Sequence, residues 1–207
     1  MPQITTLSLG DYQTNCYIVH AEGASGCAVI DPGYNAGAIF DTLQAHGLTL
    51  DAILLTHGHF DHVGAVENLV KATGCALWMH EGDYSQPKNP TFTRFYPLAN
   101  SDFAKVNFCQ EGQVISAGGL EFTVWSTPGH TWGSVCYACQ DALFTGDTLF
   151  TGSCGRIDLP GGDYKAMLRS LNRLAEIRED FLVFPGHGGH SRLSREQQSN
   201  PYLRGNL

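Results

Sequence analysis

One short run, His57-Gly58-His59-Phe60-Asp61-His62, crowds three imidazoles and a carboxylate together. Imidazole nitrogens and carboxylate oxygens are donors that divalent zinc, iron or manganese accept, with no thiolate required. On extended backbone alternate residues point to one side, so His57 and His59 can grip one cation, and a turn after them can bring Asp61 and His62 to a second. Residues of the same types recur in short polar stretches: His130 in Thr127-Pro128-Gly129-His130-Thr131, Asp147 in Gly146-Asp147-Thr148, and His187 in Pro185-Gly186-His187-Gly188. A lone aspartate in such a stretch is an ordinary turn residue. The scattered His20, His46, His80 and His190 likewise read as surface or packing residues. Taken together, His57, His59, Asp61, His62, His130, Asp147 and His187 read instead as a metal site, since they cluster by type and by their position after apolar segments. Glycines at 58, 64, 129, 146, 186 and 188 flank them and permit close backbone approach.

The elements that must position these residues are mostly strands. Apolar runs predict strands over 4–9, 15–19 and 27–30, a meander that opens the fold. A helix is predicted over 35–46, stopping before Gly47, then a short strand over 51–55 leading into His57. A second helix is expected over 63–73, with Val66, Leu69 and Val70 on one face and Gly74 as its stop. Strands follow at 76–79, 113–115, 122–125, 135–137 and 142–144. Asp163 has the character of an N-cap for a third helix whose Met167, Leu168, Leu171 and Leu174 face inward. A strand over 181–184 runs into His187, and a closing helix is expected over 194–199. This order suggests two mixed sheets packed face to face with helices outside. The stretch 86–100, rich in Pro87, Pro90, Pro97, Phe92, Phe95 and Tyr96, is expected to be an ordered loop lining the site or an oligomer contact.

The chain has 207 residues, 43% of them hydrophobic, which suits one core and a single domain over 1–207. Its formal net charge of -8 repels a phosphate backbone and argues against a nucleic-acid partner. The N-terminus lacks the basic and apolar regions of a secretory signal, and no stretch is apolar for the ~20 residues that a spanning helix needs. Scattered cysteines in a chain of this length fit a reducing, cytoplasmic setting rather than a disulfide framework. Cys136 and Cys139 form a Cys-x-x-Cys. They fall within a predicted strand, however, where residues three apart point to opposite faces, so both are expected to be core residues.

The motifs around His57–His62, Thr127–Thr131, Gly146–Phe150 and Pro185–Gly188 resemble the successive motifs of the metallo-β-lactamase superfamily. The tract from Gly152 to Asp163 and the terminal Asn200-Pro201-Tyr202-Leu203-Arg204 are most similar to its glyoxalase II-like (hydroxyacylglutathione hydrolase-like) branch. That resemblance implies an α+β fold, an αββα sandwich of two mixed β-sheets flanked by helices. It implies two divalent metal ions per chain, zinc first, with iron or manganese as alternatives. His57, His59 and His130 would hold one, Asp61, His62 and His187 the other, and Asp147 would bridge them. The implied reaction is hydrolysis of a small thioester by a hydroxide shared between cations about 3.5–4 Å apart, with Asp61 as the catalytic residue that orients it. The leaving thiol, with a pKa of roughly 8–9, needs no strong general acid. Arg156 matches a basic position that contacts the glutathione moiety in that branch, and a salt bridge to Asp158 or Asp163 is its alternative role. Two departures stand out. Gly188-Gly189-His190 replaces an aromatic tyrosine that holds the tripeptide, and the sequence ends at Leu207 without the branch's helical C-terminal domain, so a short single-domain type is expected.

Rival readings remain at this stage. One is a persulfide dioxygenase-like oxidoreductase with a single iron on His57, His130 and Asp147. Flavin-linked oxygen reductases fit less well, because they carry glutamate where His59 stands. RNA-processing nucleases fit poorly with the acidic charge. A β-lactam hydrolase is a weaker possibility, and a non-catalytic module stapled by metal is the non-enzymatic one. A monomer or small homo-oligomer is expected.

Overall fold

The N-terminal apolar runs become strands β1 (Gln3–Leu9), β2 (Thr14–His20) and β3 (Gly26–Ile30), paired antiparallel in that order. Almost every residue of β2 and β3 is buried, which explains their continuous rather than alternating apolar sequence. Next come α1 (Ala36–Ala45), β4 (Thr49–Leu54), α2 (Phe60–Val63), α3 (Val66–Thr73), β5 (Ala76–His80), α4 (Glu81–Tyr84), α5 (Pro90–Phe95) and β6 (Val106–Cys109). Strands β3, β4, β5 and β6 are parallel neighbours and complete a first mixed sheet in the order β1-β2-β3-β4-β5-β6. The computed structural model describes residues 1–87, 89–102 and 105–204, so Lys88 in the 86–100 stretch and the terminal Leu207 lie outside the described residues.

The second half supplies β7 (Val114–Ala117), β8 (Leu120–Ser126), β9 (Val135–Cys139), β10 (Ala142–Gly146), the hairpin β11 (Leu149–Phe150) and β12 (Ser153–Cys154), α6 (Tyr164–Ala175), β13 (Leu182–Pro185), β14 (Ser191–Arg192) and α7 (Leu193–Ser199). Its sheet runs β14-β13-β10-β9-β8-β7, with β10 and β13 parallel and the other neighbours antiparallel. In β8 the alternation is clean, burying Leu120, Phe122 and Val124.

Three apolar clusters define the layers. Ile30, Leu54, Phe122, Tyr137, Phe144 and Phe184 pack between the sheets, Phe144 stacking on Phe184 at 5.1 Å. Ile39, Leu43, Val66 and Leu69 cover the outer face of the first sheet, and Met167, Leu171, Leu174 and Leu193 that of the second. The arrangement is the expected αββα sandwich. Asp163 is the N-cap of α6, accepting from Ala166 N at 2.7 Å. Leu168 is only half-buried, and Ala166 and Ser170 take the inward face instead. Cys136 belongs to the outer cluster and Cys139 to the inter-sheet one, on opposite faces as expected.

Some elements differ from the sequence expectation. The helix predicted over 63–73 begins later, as α3 at Val66, while Val63 closes the separate α2; Gly64 between them lies so near Gly33 O that a Cβ would sit 2.3 Å from it. Strands β6, β11, β12 and β14 and helices α2, α4 and α5 were not anticipated, being too short for a periodic signal. No helix among the described residues is long and apolar enough to cross a membrane.

Polar stitches align the two sheet edges that carry the site. Asn15 N donates to Gly186 O (2.8 Å), and Asn15 Nδ2 donates to Pro185 O (3.0 Å) and Gly188 O (2.9 Å). Tyr17 OH reaches Pro185 O (2.5 Å), Tyr137 OH reaches Leu55 O (2.9 Å), and Val135 N donates to Thr56 O (2.8 Å). These bonds hold the carboxyl ends of β4, β10 and β13 in register across the sandwich, the place where α/β sheets present ligand-binding loops.

Candidate metal centre

The loop after β4 places His57 and His59, and the loop after β8 places His130; all three are buried. His59 Nδ1 and His130 Nε2 stand 2.9 Å apart, and the His57 ring lies edge-on to both, 4.9 Å from each. One ligand nitrogen from each falls within 4.8 Å of the others. Two nitrogens on one tetrahedral zinc are ~3.3 Å apart for ordinary bond lengths, so the spacing suits a shared cation. Burial, followed by repulsion from neighbouring imidazoles, holds His57 well below its usual range and brings His59 down to about 3. Both rings therefore present lone pairs at neutral pH.

Asp61 and His62 on α2 meet His187, which follows β13. His187 Nε2 is 3.3 Å from both Asp61 Oδ2 and His62 Nε2. Asp147, just after β10, faces both groups: Oδ1 is 3.4 Å from His62 Nε2, and Oδ2 is 3.4 Å from His130 Nε2 and 3.6 Å from His187 Nε2. Burial alone would lower His62 and His187, but the carboxylates of Asp147 and Asp31 beside His62, and of Asp61 and Asp147 beside His187, raise both. Burial alone would raise Asp61 and Asp147, and the surrounding imidazoles hold both below the usual carboxylate range.

The far nitrogens of these rings show what the near ones are for. His130 Nδ1 donates to Arg156 O (2.6 Å) and His187 Nδ1 to Tyr12 O (3.1 Å), while His62 Nδ1 donates to Asp31 Oδ2 (2.9 Å). Thr56 gives its hydroxyl hydrogen to Asp31 (2.6 Å), so its oxygen accepts from His57 Nδ1 (3.1 Å). His57, His62, His130 and His187 are thereby locked with the other nitrogen turned inward, the arrangement that orients metal-binding histidines, whereas His59 Nε2 is buried without a partner. His57 Nε2 and Asp147 Oδ1 are buried without a hydrogen-bond partner, a costly condition that a cation would relieve. The donor set fits two divalent ions.

All the histidines and aspartates singled out in the sequence meet here. Arg156 divides its roles: its carbonyl holds His130, and it lines the cleft of about 400 Å³ in front of the centre. Its exposed guanidinium forms a bidentate pair with Asp158 (2.6 and 2.7 Å), the alternative role foreseen for it. The 86–100 stretch approaches from behind. Buried Tyr96 packs on His59 with ring centroids 5.0 Å apart and donates to Pro160 O, but the cleft walls come from Tyr12, Phe60, Phe150 and Leu159.

Two supporting aspartates escaped the sequence reading. Asp31, at the end of β3 with φ of 50°, accepts from Thr56 N, Thr56 Oγ1 and His62 Nδ1, and so braces one ring of each half. Its position after an apolar strand was the available signal. Asp83 on α4 is fully buried and accepts from Gly58 N (2.9 Å), Gly133 N (2.7 Å) and Thr131 Oγ1 (2.7 Å), tying the His57–His59 loop to the His130 loop. Nothing in its local sequence marks it. Gly186 is demanded by space: a Cβ there would lie 2.2 Å from Asp147 Oδ1 and 2.7 Å from the His62 ring.

Residues 9–187 match the family model described as Metallo-beta-lactamase superfamily. The chain belongs to the metallo-β-lactamase superfamily. Among its curated relatives, a hydroxyacylglutathione hydrolase, GloC, from Haemophilus influenzae is 34% identical over 199 residues, covering 93% of each chain. Among solved structures, BLEG-1, a B3 metallo-beta-lactamase, superposes with a TM-score of 0.87 at 34% identity, covering 98% of this chain and 100% of its own. TTHA1623 in a di-iron-bound form superposes with a TM-score of 0.81 at 37% identity, over 96% and 99% of the two chains. Membership of this metallo-β-lactamase superfamily agrees with the paired clusters and with the layered sheets that carry them. It leaves the metal open, because a di-iron neighbour stands beside a donor set that zinc also accepts.

Proposed function

We propose that the protein is a binuclear metal-dependent hydrolase of small thioesters, with zinc as the first candidate metal and iron or manganese as alternatives. The observation that carries this reading is Asp147, whose Oδ2 lies between His130 of one group and His187 of the other while its Oδ1 faces His62. A structural zinc site is closed around one ion by four ligands; two groups joined by a shared carboxylate and opening on a cleft leave room for substrate.

Divalent ions held there would supply a nucleophile from water at neutral pH and polarise a carbonyl. The chain's own residues do the rest. Asp61 accepts from Thr14 Oγ1 at 3.4 Å and turns its carboxylate toward the cleft, placed to orient the attacking water by accepting its hydrogen bond. Tyr12, Phe60, Phe150 and Leu159 give the cleft apolar walls that exclude bulk water. A departing thiolate is stable enough to leave without a strong acid. The similarity to GloC supports thioester hydrolysis over other superfamily reactions.

The test is a parallel assay on metal-quantified protein with S-lactoylglutathione, other small thioesters, lactones and β-lactams, plus oxygen uptake on glutathione persulfide. Thioester cleavage with two metals per chain is expected. Oxygen consumption with one iron per chain, or lactam cleavage without thioester cleavage, would replace the proposal.

A further inference from the structure

A second cavity of about 290 Å³ adjoins the main cleft, and Tyr12, Phe60 and Asp61 line both. Its far side is made by Leu9, Asp11 and Tyr34. Tyr12 stands edge-on to Phe60 with ring centroids 5.2 Å apart, and its carbonyl holds His187 Nδ1, so this wall is tied to the centre itself. Tyr12 and Tyr34 are each 63% exposed, which leaves aromatic surface uncovered beside the cleft. Among the described residues the charged side chains lining the cavity are Asp11 and Asp61, and no lysine, arginine or histidine joins them.

We infer that this side cavity binds one arm of the substrate, and that the arm it accepts is uncharged and aromatic or apolar. The inference rests on the main cleft being the hydrolytic site and adds the substrate class. Rings at the wall and rim favour a flat or apolar group through edge and face contacts. An anionic arm entering here would meet the Asp11 carboxylate with no lysine or arginine among the described lining residues to offset it, and it would lose hydration without gaining a partner. The main cleft differs, because it carries Arg156 and the metal-facing histidines. A thioester whose arms both carry carboxylates must therefore leave one of them outside the side cavity.

Binding of non-hydrolysable thioethers to the metal-loaded protein, followed by calorimetry, tests this separately from hydrolysis. The probes are S-benzyl-N-acetylcysteamine and its 4-sulfobenzyl analogue, sulfonate being a weak metal ligand. The benzyl compound is expected to bind at least about tenfold more tightly, with the gap narrowing as salt is raised. Tyr34→Ala should weaken the benzyl compound by about fivefold while Tyr34→Phe retains it, and Asp11→Lys should narrow the gap by favouring the sulfonate. Equal binding of the two probes, or indifference of both to Tyr34→Ala and Asp11→Lys, would overturn the inference. Failure of the hydrolase reading would instead appear as probe binding with this selectivity but no cleavage of any thioester.

Discussion

His57, His59 and His130 are buried where imidazoles face one another, whereas Asp61, His62 and His187 share their space with carboxylates. The same side chain is pushed in opposite directions by these surroundings: His57 and His59 down, His62 and His187 up. In the first half His57 and His59 are thus neutral donors prepared for a cation by burial. The second is charge-balanced and keeps protons until a cation displaces them. Proximity in sequence does not decide which half a residue joins, since His59 and Asp61 are two positions apart.

The sharpest way to break this contrast is to remove the residue common to both halves. Asp147→Ala should lower hydrolysis by about a hundred- to a thousandfold and reduce metal content below two per chain by elemental analysis; unchanged stoichiometry would mean that the halves do not depend on Asp147. Asp31→Asn weakens the brace on His62 and Thr56, and a loss of about 10- to 100-fold in metal affinity is expected, greater for the more weakly held ion. Chelator titration measures it, and equal retention of both ions would deny Asp31 that role. Asp83→Asn acts on the first half alone. With Gly58, Gly133 and Thr131 losing a charged acceptor, the metal-free protein should be destabilised by about 2 kcal/mol in urea unfolding, with faster amide exchange at Gly58 and Gly133. The smallest effect is one of pH. Raised values mean that His62 and His187 carry protons in the metal-free protein, so affinity at the second half should climb as pH rises through the neutral range, up to about tenfold per unit for each displaced proton. His59, near 3, is already deprotonated and leaves its half almost flat there. Chelator competition at two pH values separates these slopes, and parallel slopes would contradict the electrostatic contrast.

Much of the centre was legible because its ligands are short-range features. His57, His59, Asp61 and His62 announce themselves by type and spacing, and His130, Asp147 and His187 by their place after apolar strands. Asp31 had the same strand-end signature but stood alone, and a lone aspartate is usually a turn residue. Asp83 had no signal at all, because its value lies in three donors drawn from loops distant in sequence. The crowding at Gly64 is invisible for a similar reason, since the atom that demands a glycine there is Gly33 O from across the fold. The ion pair of Arg156 with Asp158 was one of two roles open in the sequence, and its place in the cleft lining keeps the other.

The sequence by itself determined the donor set, the strand-rich order and the apolar layers, since periodicity and residue chemistry are properties of neighbouring positions. The run from His57 to His62 needed His130, Asp147 and His187 beside it before the sequence pointed to two cations. Only the tertiary structure decided which imidazole nitrogens face inward, which carboxylates brace them, and that a second, acidic and aromatic cavity adjoins the cleft at Asp61. These depend on distances between segments that share no local pattern, and such distances exist only once the two sheets have packed.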